Sequence, residues 1–263
     1  MAYSGIKGKT AIVTGGGEGI GYAIAEALVQ NGANVVLNDL DPELSKKAAK
    51  EIDQIHPGNC KSFAGDAGSI ETIDEIIDFA VNSFGDIHFV VPNAGITLFG
   101  DFLKFTPESF NKVVELNLQG AFFLVQKAVL KMIEKGHSGK VVLLSSQVGI
   151  RAYRNLTTYA MTKAALRMMA VNLAYELDQH HININVIAPG ATLTERTKLE
   201  QPDYEGIWGR LNPNGRVGKP EDIAAAVAFI SADEAGFVNG ASLAVDGGLT
   251  AGSFKMIQDI IGK

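Results

Sequence analysis

Short apolar runs alternate with longer amphipathic segments along most of the chain. The short runs are rich in valine and isoleucine, which favours strands, whereas the longer segments repeat apolar residues every three or four positions, as helices do. This pattern predicts strands at 10–13, 34–37, 61–64, 87–91, 141–144, 182–187 and 242–245. It predicts helices at 20–31, 42–55, 69–84, 106–134, 157–178 and 220–231.

Apolar strands joined by helices are typical of an α/β protein in which helices cover both faces of a parallel sheet. We expect a single domain over residues 1–263, because no linker, repeat or low-complexity segment interrupts the alternation. Thr106 is expected to cap the long fourth helix, with Pro107 at its first position. The segment 191–219 has no clear periodicity and is rich in Thr, Pro, Gly and Asn, so we favour a substrate lid over a plain surface loop.

Composition limits the possible partners. The formal net charge is −6 and Lys and Arg form no cluster, so the chain offers no electrostatic footprint for nucleic acid or an anionic membrane. No apolar run is long enough to cross a bilayer, and residues 1–10 lack the apolar stretch of a signal peptide. The single cysteine, Cys60, cannot form an internal disulfide, which favours the cytoplasm. We therefore expect a cytoplasmic protein that acts on a small molecule.

A glycine-rich loop, TGGGEGIG at 14–21, separates the first predicted strand from the first predicted helix. Glycine lets the backbone turn sharply and come close to a pyrophosphate, which the N-terminus of the helix stabilises. Strand, glycines and helix in this order indicate a dinucleotide-binding loop. The loop residues expected to contact the cofactor are Gly15, Gly17, Glu18, Gly19, Ile20 and Gly21.

A carboxylate follows the second predicted strand. Asp39 is placed to accept hydrogen bonds from the adenine ribose hydroxyls and to repel a 2′-phosphate, which favours NAD over NADP. Glu18 supports the same preference, because a basic residue in the glycine-rich loop would help to bind that phosphate. Asp41 competes for the carboxylate role, but it precedes Pro42 and is expected at the start of the next helix. Leu40 is expected to contact the cofactor beside Asp39.

Tyr159 and Lys163 are four residues apart in a predicted helix, so their side chains share one face. A free tyrosine ionises at about pH 10, and a fixed cation beside it stabilises the phenolate and lowers its pKa. The pair is therefore suited to proton transfer. Such a pair also arises by chance in helices where the lysine is solvated and the tyrosine packs, so its meaning depends on the other motifs.

Several motifs occur together in the order and spacing of a known family. They are TGGGEGIG at 14–21, NAG at 93–95, Asn117 in ELNLQG, SS at 145–146, YAMTK at 159–163 and APG at 188–190. Through these motifs, from Lys9 to Gly248, the chain resembles the short-chain dehydrogenase/reductase family. The resemblance implies a Rossmann-type, doubly wound parallel sheet with strand order 3-2-1-4-5-6-7. It also implies a ligand crevice at the carboxyl ends of the strands, where that order reverses.

The resemblance further implies catalytic roles. Ser146 would hydrogen-bond the substrate oxygen, Tyr159 would exchange its proton, and Lys163 would lower the Tyr159 pKa and hold the nicotinamide ribose. Asn117 would anchor a proton-relay water, and its poor helix propensity in mid-helix suits a local distortion that exposes a backbone carbonyl. Ser145 is not expected to share the role of Ser146, because neighbours on a strand point to opposite faces.

Other cofactor contacts follow from the same resemblance. Asp66 and Ala67 follow the third predicted strand, where the family holds adenine. The remaining residues expected to contact the cofactor are Asn93, Ala94, Gly95, Tyr159, Lys163, Pro189, Gly190, Thr192 and Thr194. No metal is expected, because His180 and His181 stand at a helix end without convergent partners.

The family resemblance also implies a homotetramer. The helices that begin near Thr106 and Thr157 would pack against those of a neighbouring subunit. Small residues such as Ala160 and larger ones such as Met168 on the second of these helices allow close packing.

Two arginines, Arg151 and Arg154, lie between Ser146 and Tyr159 in the sequence. A position near the pocket would suit the binding of an anionic substrate. A surface or interface position fits them equally well, so they do not identify the substrate.

Two branches of the family compete for the substrate. Sugar and polyol dehydrogenases fit the NAD preference and the polar pocket candidates Gln147, Tyr153 and Asn155. Reductases of 3-oxoacyl carrier protein usually use NADPH and carry Arg-Asp where this chain has Leu98-Phe99, which counts against them. A non-catalytic NAD-binding regulator is a third possibility, against which the complete catalytic set argues. The expected function is NAD(H)-dependent interconversion of a secondary alcohol, of a sugar or polyol, with the ketone or lactone.

Overall fold

The protein is an α/β fold built on one seven-stranded parallel sheet. The computed structural model describes residues 3–251, so the two ends of the predicted domain, 1–2 and 252–263, lie outside the described residues. The strands follow the expected order β3-β2-β1-β4-β5-β6-β7. They are β1 Thr10–Thr14, β2 Asn34–Asp39, β3 Cys60–Ala64, β4 Phe89–Val91, β5 Gly139–Leu144, β6 Ile182–Pro189 and β7 Ser242–Val245.

Helices connect these strands on both faces of the sheet. Within the described residues they are α1 Gly19–Gln30, α2 Pro42–Asp53, α3 Ile70–Phe84, α4 Pro107–Val114, α5 Ala121–Lys135, α6 Thr157–Glu176, α7 Glu195–Glu200, α8 Tyr204–Leu211 and α9 Pro220–Ser231. The bounds of α9 and β7 coincide with the sequence prediction. Most other predicted ends differ by a residue or two.

Local side chains fix where two of the helices begin. Asp41 accepts hydrogen bonds from the backbone N–H groups of Glu43 and Leu44 at the start of α2. Thr106 caps α4, and Pro107 occupies the first helical position. Both capping roles match the sequence prediction. Because the Asp41 side chain is engaged at a helix end, Asp39 remains the carboxylate expected to meet the ribose.

Two apolar cores cover the sheet, one on each face. On one face α1, α2 and α9 pack against the strands, and Leu28 and Val227 are fully buried there. On the other face α3, α5 and α6 do the same, with Leu124 and Leu166 buried. Full burial of a side chain of this size stabilises the fold by about 1.5–3 kcal/mol. The two cores therefore hold the strand ends on which the functional site is built.

The predicted helix 106–134 is interrupted in the middle. Residues Glu115–Gly120 form a π-helical turn between α4 and α5. Gly120 lets this turn approach the loop after β3, because a Cβ there would lie 2.2 Å from the Ala67 carbonyl oxygen. The helix predicted over 106–134 is therefore divided into α4 and α5, and the local distortion expected at Asn117 is confirmed.

Residues 191–219, which the sequence predicts to be a lid and which are called the lid segment below, contain two helices that the sequence pattern does not predict, α7 and α8. Thr194 caps α7, and the Thr197 hydroxyl accepts a hydrogen bond from the Thr194 N–H at 2.8 Å, so a capping box fixes this short helix. A backbone bridge between Thr192 and Gly218 closes the base of the segment. The lid segment is therefore ordered by its own local hydrogen bonds.

One stretch of helix among the described residues, Pro107–Lys135, is long and apolar enough to span a membrane by length and composition. Its side chains Leu124, Val125 and Ala128 pack in the core against the sheet. That packing accounts for the high hydropathy of the stretch.

Cys60 begins β3 and is buried as a free thiol. Burial, and then the nearby Asp53 carboxylate, raise the pKa of this thiol to about 12. The thiol is therefore protonated at neutral pH and is a poor nucleophile.

Candidate active site

The carboxyl ends of β4, β5 and β6 open into a cavity of about 590 Å³ beside the first turn of α1. In this region the strand order reverses between β1 and β4, and ligands bind at such a point in sheets of this kind. Residues from distant parts of the chain meet in the cavity wall: Asn93, Gly95, Ser146, Tyr159 and Lys163.

Tyr159 and Lys163 reach the cavity from the first turns of α6. The side chains of Ser146 and Thr97 lie beside the Tyr159 phenol and act to lower its pKa. The Lys163 ammonium is buried and lies 5.6 Å from the centre of the Tyr159 ring. It donates a 2.8 Å hydrogen bond to the Leu144 carbonyl oxygen. Three hydroxyls and one ammonium therefore meet at the end of β5.

Burial shifts the pKa values of both Tyr159 and Lys163. It raises the pKa of the Tyr159 phenol, and the nearby side chains of Ser146 and Thr97 only partly oppose this effect. Burial also lowers the pKa of Lys163 to about 8. The sequence pattern predicts a lowered Tyr159 pKa instead. The structure differs because burial is the largest influence on the phenol, and the Lys163 ammonium bonds to the Leu144 carbonyl oxygen.

Adjacent serines have different partners at the end of β5. The Ser145 hydroxyl is buried and donates a 2.7 Å hydrogen bond to the Lys163 carbonyl oxygen. The Ser146 hydroxyl accepts a 3.2 Å hydrogen bond from the Val148 N–H and reaches the Tyr159 phenol. Ser146 is thus the serine beside the phenol, and Ser145 fastens α6 to the strand.

Asn117 reaches the site from the π-helical turn. Its buried side chain accepts a 2.8 Å hydrogen bond from the Ile96 N–H and donates a 2.9 Å hydrogen bond to the Ile96 carbonyl oxygen. A Cβ on Gly95 would lie 3.2 Å from Asn117 Oδ1 and 3.5 Å from the Lys163 ammonium, so glycine keeps these groups close together. Since the Asn117 side chain fixes the loop after β4, its backbone is the part left for the expected proton relay.

Asn93 and Thr14 fasten the glycine-rich loop to the end of β4. The Asn93 amide donates hydrogen bonds to the carbonyl oxygens of Thr14 and Gly15 at 3.0 and 2.9 Å. The Thr14 hydroxyl accepts from the N–H groups of Asn93 and Ala94 at 3.2 and 3.1 Å. Gly15 and Gly19 have φ angles of +62° and +59°, which favour glycine. Asn93, a predicted cofactor contact, therefore directs its side-chain amide at the loop itself.

The N-terminus of α1 fits the pyrophosphate of a dinucleotide. The cap residue, Glu18, makes no side-chain capping hydrogen bond, so N–H groups of the first turn are available to an anion. Gly21 packs so closely that a Cβ there would lie 2.0 Å from the Gly15 carbonyl oxygen. Ile20, which stands between Gly19 and Gly21 in the same turn, lines the cavity. These residues fit the expected nicotinamide dinucleotide.

Asp39 ends β2 beside the glycine-rich loop. Its Oδ2 accepts a 2.9 Å hydrogen bond from the Gly17 N–H, and its Oδ1 accepts one of 3.2 Å from the Asp41 N–H. A carboxylate has about four acceptor sites, so Asp39 keeps acceptor capacity for ribose hydroxyls. Leu40 beside it is 70% exposed and is free to cover a flat ligand.

The loop after β3 lies next to Asp39, whose carbonyl oxygen accepts a 3.0 Å hydrogen bond from the Gly65 N–H. Asp66 Oδ1 accepts a 2.8 Å hydrogen bond from the Gly68 N–H, and Ala67 is buried. Neither Asp66 nor Ala67 belongs to the cavity wall around Tyr159. Their position beside Asp39 is compatible with the adenine contact predicted for them.

The end of β6 leads into another wall of the cavity. Pro189, Gly190, Thr192 and Thr194 all line it. The Thr192 hydroxyl donates a 3.1 Å hydrogen bond to the Gly190 carbonyl oxygen. The Thr194 methyl group is 3.3 Å from the place where a Cβ of Gly19 would lie. The lid segment therefore approaches the glycine-rich loop at this wall.

Comparison with known proteins agrees with this geometry. A family model described as Enoyl-(Acyl carrier protein) reductase matches residues 15–250. The L-rhamnose-1-dehydrogenase of Scheffersomyces stipitis is 38% identical over 249 residues, which are 93% of this chain and 96% of that protein. The chain belongs to the short-chain dehydrogenase/reductase family.

Other members of the family are similar over nearly the whole chain. The 3-oxoacyl-[acyl-carrier-protein] reductase FabG of Chlamydia muridarum is 35% identical over 92% of this chain and 97% of its own length. A crystal structure from Agrobacterium tumefaciens, provisionally assigned as a gluconate dehydrogenase, has a TM-score of 0.88 at 29% identity and covers 96% of this chain and 99% of that one. The chain is therefore an oxidoreductase of a family that uses nicotinamide cofactors, and it acts on CH–OH groups or the corresponding ketones.

Part of the cavity wall lies in the lid segment and was not predicted from the sequence. Arg196 and Glu200 of α7 line the cavity, together with Tyr204 and Trp208 of α8. Trp208 stacks on Tyr153 with 6.1 Å between ring centres and lies 5.9 Å from the Tyr204 ring. No family motif marks these residues. The available signal is a spacing of four residues within each pair, which places each pair on one helix face.

The aromatic part of this wall is polar at its edges and carries no charge. The indole N–H of Trp208 is buried and has no hydrogen-bond partner within residues 3–251. Burial raises the pKa of the Tyr204 hydroxyl to about 12, so this group stays neutral at neutral pH. A ligand with hydroxyl groups and C–H faces suits such a surface.

Two sets of predicted pocket residues have different outcomes. Gln147 and Tyr153 line the cavity, whereas Asn155 lies in a separate, more apolar pocket. Arg151 and Arg154 are exposed and do not belong to the cavity wall. The surface position considered for Arg151 and Arg154 is therefore the one observed, and Arg196 is the arginine among the described residues that line the cavity.

Asp86, His88 and His137 cluster at the amino ends of β4 and β5, at the opposite end of the strands from the cavity. His88 Nδ1 accepts a 3.2 Å hydrogen bond from the Thr10 N–H. His137 Nε2 lies 2.6 Å from Asp86 Oδ1, and its Nδ1 lies 2.9 Å from the Ser138 carbonyl oxygen. The two imidazole rings stack 4.6 Å apart at 12°, and one ligand atom from each of the three residues lies within 4.8 Å of the others, a spacing that suits a metal ion. These contacts tie the strand ends together.

Proposed function

We propose that the protein uses NAD to oxidise a CH–OH group of a neutral sugar or polyol to the lactone or ketone, with Tyr159 as the proton acceptor. The observation that carries this proposal is the meeting of Ser146, Tyr159 and Lys163 in one cavity beside the glycine-rich loop. Hydride leaves a carbinol carbon as the hydroxyl proton departs, so a hydrogen-bond donor and a proton acceptor must reach the same oxygen.

In this mechanism the chain orients the alcohol and removes its proton. The Ser146 hydroxyl holds the substrate oxygen, and the Tyr159 phenolate accepts the proton. Lys163 holds the nicotinamide ribose and favours the phenolate by its charge, and the Asn117 backbone anchors the proton-relay water. When bound, NAD supplies the hydride acceptor, and the positive charge of its nicotinamide also favours the phenolate.

Carboxylates support NAD as the cofactor. Asp39 keeps acceptor capacity for the ribose hydroxyls and would repel a 2′-phosphate. The pKa of Glu18 is raised, first by burial and then by the charges of Glu195 and Asp39, and is lowered by Arg196 to a smaller extent. Negative charge therefore accumulates beside the glycine-rich loop, which disfavours the additional phosphate of NADP.

The cavity wall supports a neutral polyhydroxyl substrate. Gln147 and Tyr153 offer hydrogen-bonding groups, while the rings of Tyr204 and Trp208 offer flat apolar faces for the C–H groups of a sugar. The similarity to an L-rhamnose-1-dehydrogenase supports the same substrate class. The 35% identity to a FabG reductase keeps reduction of a 3-oxoacyl thioester as the second candidate.

A spectrophotometric screen tests the proposal. Purified protein with NAD or NADP would be given neutral aldoses such as L-rhamnose, and polyols, while 3-oxoacyl thioesters would be given with the reduced cofactors. We expect NAD-dependent oxidation of at least one neutral sugar or polyol, and its loss in Tyr159→Phe. Reduction of the 3-oxo group of these thioesters by NADPH, without oxidation of any sugar or polyol, would favour the second candidate. Binding of NAD without turnover of any compound would favour a regulator that binds NAD.

A further inference from the structure

Arg196 and Glu200 form an ion pair in the wall of the cavity. Arg196 Nε donates a 2.7 Å hydrogen bond to Glu200 Oε1, and Arg196 Nη2 donates one of 3.1 Å to the Thr97 carbonyl oxygen. The Thr97 side chain in turn lies beside the Tyr159 phenol and acts to lower its pKa. Both charged side chains are 41% exposed, so a ligand in the cavity can reach them. The pair therefore connects α7 to a residue that touches the proposed proton acceptor.

Helix stability does not explain this pair. The helix that carries it, α7, has six residues. Its arginine precedes its glutamate, which is the less favourable order for the helix dipole and for pairs four residues apart. A contribution to the cavity is the better explanation of why the two charges face each other there.

Charge in the cavity wall is nearly balanced. Of the described residues that line the cavity, the charged ones are Lys163, Arg196 and Glu200. Lys163 is buried and its pKa is lowered to about 8, whereas the guanidinium of Arg196 carries a positive charge. Glu200 neutralises this permanent charge, and Glu18 and Glu195 add negative charge nearby.

We propose that Glu200 cancels the charge of Arg196 and thereby makes the cavity select neutral polyhydroxyl substrates over sugar acids. The inference rests on the proposed function and identifies the residue pair that sets the substrate class. A guanidinium without a carboxylate partner binds a substrate carboxylate through two parallel hydrogen bonds. Arg196 would therefore retain a sugar acid if Glu200 were neutral, whereas a charged Glu200 repels it.

The pair also affects the protonation of Tyr159. Arg196 lowers the pKa of the phenol and Glu200 raises it. Lys163 on α6 and Tyr204 on α8 are the other titratable groups that face Tyr159. Replacing Glu200 by a neutral residue leaves the effect of Arg196 unopposed. The alkaline rise of alcohol oxidation should therefore move to lower pH in that variant, which a purely structural role of Glu200 would not produce.

Glu200→Gln tests the proposal through binding and turnover. Binding of gluconate to the full-length protein would be measured by isothermal titration calorimetry. We expect Glu200→Gln to bind gluconate about tenfold more tightly than wild type, the size of one charge-assisted hydrogen bond. In Glu200→Gln the ratio of kcat/KM for gluconate to kcat/KM for a neutral sugar should also be higher than in wild type.

Two further variants serve as controls. Arg196→Gln combined with Glu200→Gln should lose the gain in gluconate binding, because the guanidinium is gone. Glu205→Gln makes the same change of charge at an exposed position of α8 and should bind gluconate like wild type. If the melting temperature shows that Glu200→Gln is misfolded, Glu200→Ala replaces it in the same measurements.

The outcomes separate this inference from the proposed function. Equal gluconate binding by wild type and Glu200→Gln, or a gain that survives the loss of Arg196, would overturn the inference. A wild type that oxidises neutral sugars, with no gain in Glu200→Gln, would overturn it and leave the proposed function intact. A wild type that oxidises no neutral sugar or polyol, with a gain in gluconate binding in Glu200→Gln, would overturn the proposed function and support selection by charge.

Discussion

The Tyr159 hydroxyl is the single group on which the proposed proton transfer depends. Tyr159→Phe keeps the ring and removes only that hydroxyl, so kcat for alcohol oxidation should fall by about a hundredfold to ten-thousandfold. Binding of NAD and the melting temperature should stay close to wild type, because the packing of the ring is retained. Steady-state kinetics and calorimetry measure these quantities. A fall of less than about tenfold would mean that another group takes the proton.

Protonation of Tyr159 sets the direction in which pH acts. Because burial raises the pKa of the phenol, its neutral form predominates at neutral pH. Oxidation needs the phenolate and should accelerate as pH rises toward that pKa, whereas ketone reduction needs the phenol and should slow over the same range. Profiles of kcat/KM in both directions, from neutral to alkaline pH, test this. Oxidation that is fastest in acid would contradict it.

Asp39 carries the expected preference for NAD. Asp39→Ala removes an acceptor for the ribose hydroxyls and the charge that would repel a 2′-phosphate, so the kcat/KM ratio of NAD over NADP should narrow by about tenfold or more. Asp41→Ala is the matched control, because it removes the cap of α2 and should lower stability without changing that ratio. A wild-type enzyme that prefers NADP would disprove the assignment.

Residues were predictable where chemistry or sterics restricts their identity. Tyr159 and Lys163 are recognised by their spacing together with the other family motifs. Gly21 is recognised in the glycine-rich loop, and the structure places it where no side chain is tolerated. Arg196 and Trp208 were not predictable, since their role depends on how the lid segment folds over the cavity. The direction of the Tyr159 pKa was missed for a similar reason, because the sequence indicates proximity but not burial.

At the scale of elements, a substitution at Gly120 tests whether the π-helical turn depends on its close packing against the loop after β3. In Gly120→Ala the added Cβ would lie 2.2 Å from the Ala67 carbonyl oxygen, so the turn or the loop after β3 must shift. The free energy of unfolding should fall by about 1–3 kcal/mol. Activity should fall too, because Asn117 lies in the same turn. Urea unfolding and kinetics measure the two effects.

Gly209→Ala provides the matched control for that experiment. The nearest atoms to an added Cβ at Gly209, outside its own helix, are 3.8 Å away, which is an ordinary contact. Alanine also favours a helix over glycine, so this variant should be at least as stable as wild type. Equal stability of the Gly120 and Gly209 variants would show that the turn tolerates a side chain.

Hydrophobic periodicity located most elements, because each strand and helix buries one face against the sheet. It failed at the π-helical turn, whose apolar residues continue the pattern of a regular helix through Asn117. It also failed for α7 and α8, which are short and are fixed by caps and by contacts in the cavity wall. Apolar periodicity is weak in helices of that kind.

At the scale of the whole molecule, an apolar surface on α5 and α6 supports the expected homotetramer. Its exposed side chains are Phe122, Leu130, Met161, Met168, Val171 and Tyr175. Burial of such a surface between subunits would stabilise their association. Met168→Glu places a charge among the exposed apolar side chains of α6, so the mass measured by light scattering should fall below that of wild type. A wild-type protein that is monomeric at micromolar concentration would contradict the expectation.

The order of the seven strands came from the family resemblance, whereas the alternation of strands and helices came from the sequence pattern itself. The pattern cannot give the order, because each apolar strand is equally suited to any central position. The two cores, represented by Leu28 on one face and Leu124 on the other, show why a crossover to the second face is needed. That crossover creates the crevice in which the cavity lies.

The buried thiol of Cys60 has a practical consequence for spectroscopy of the lid segment. Cys60 is the one cysteine of the chain. Because the pKa of its thiol is about 12, almost no thiolate is present at neutral pH to react with a maleimide dye. Leu199 is 87% exposed on α7, so Leu199→Cys would create a single reactive position without removing the native cysteine. A fluorophore attached there would report whether the segment moves when NAD and sugar are added.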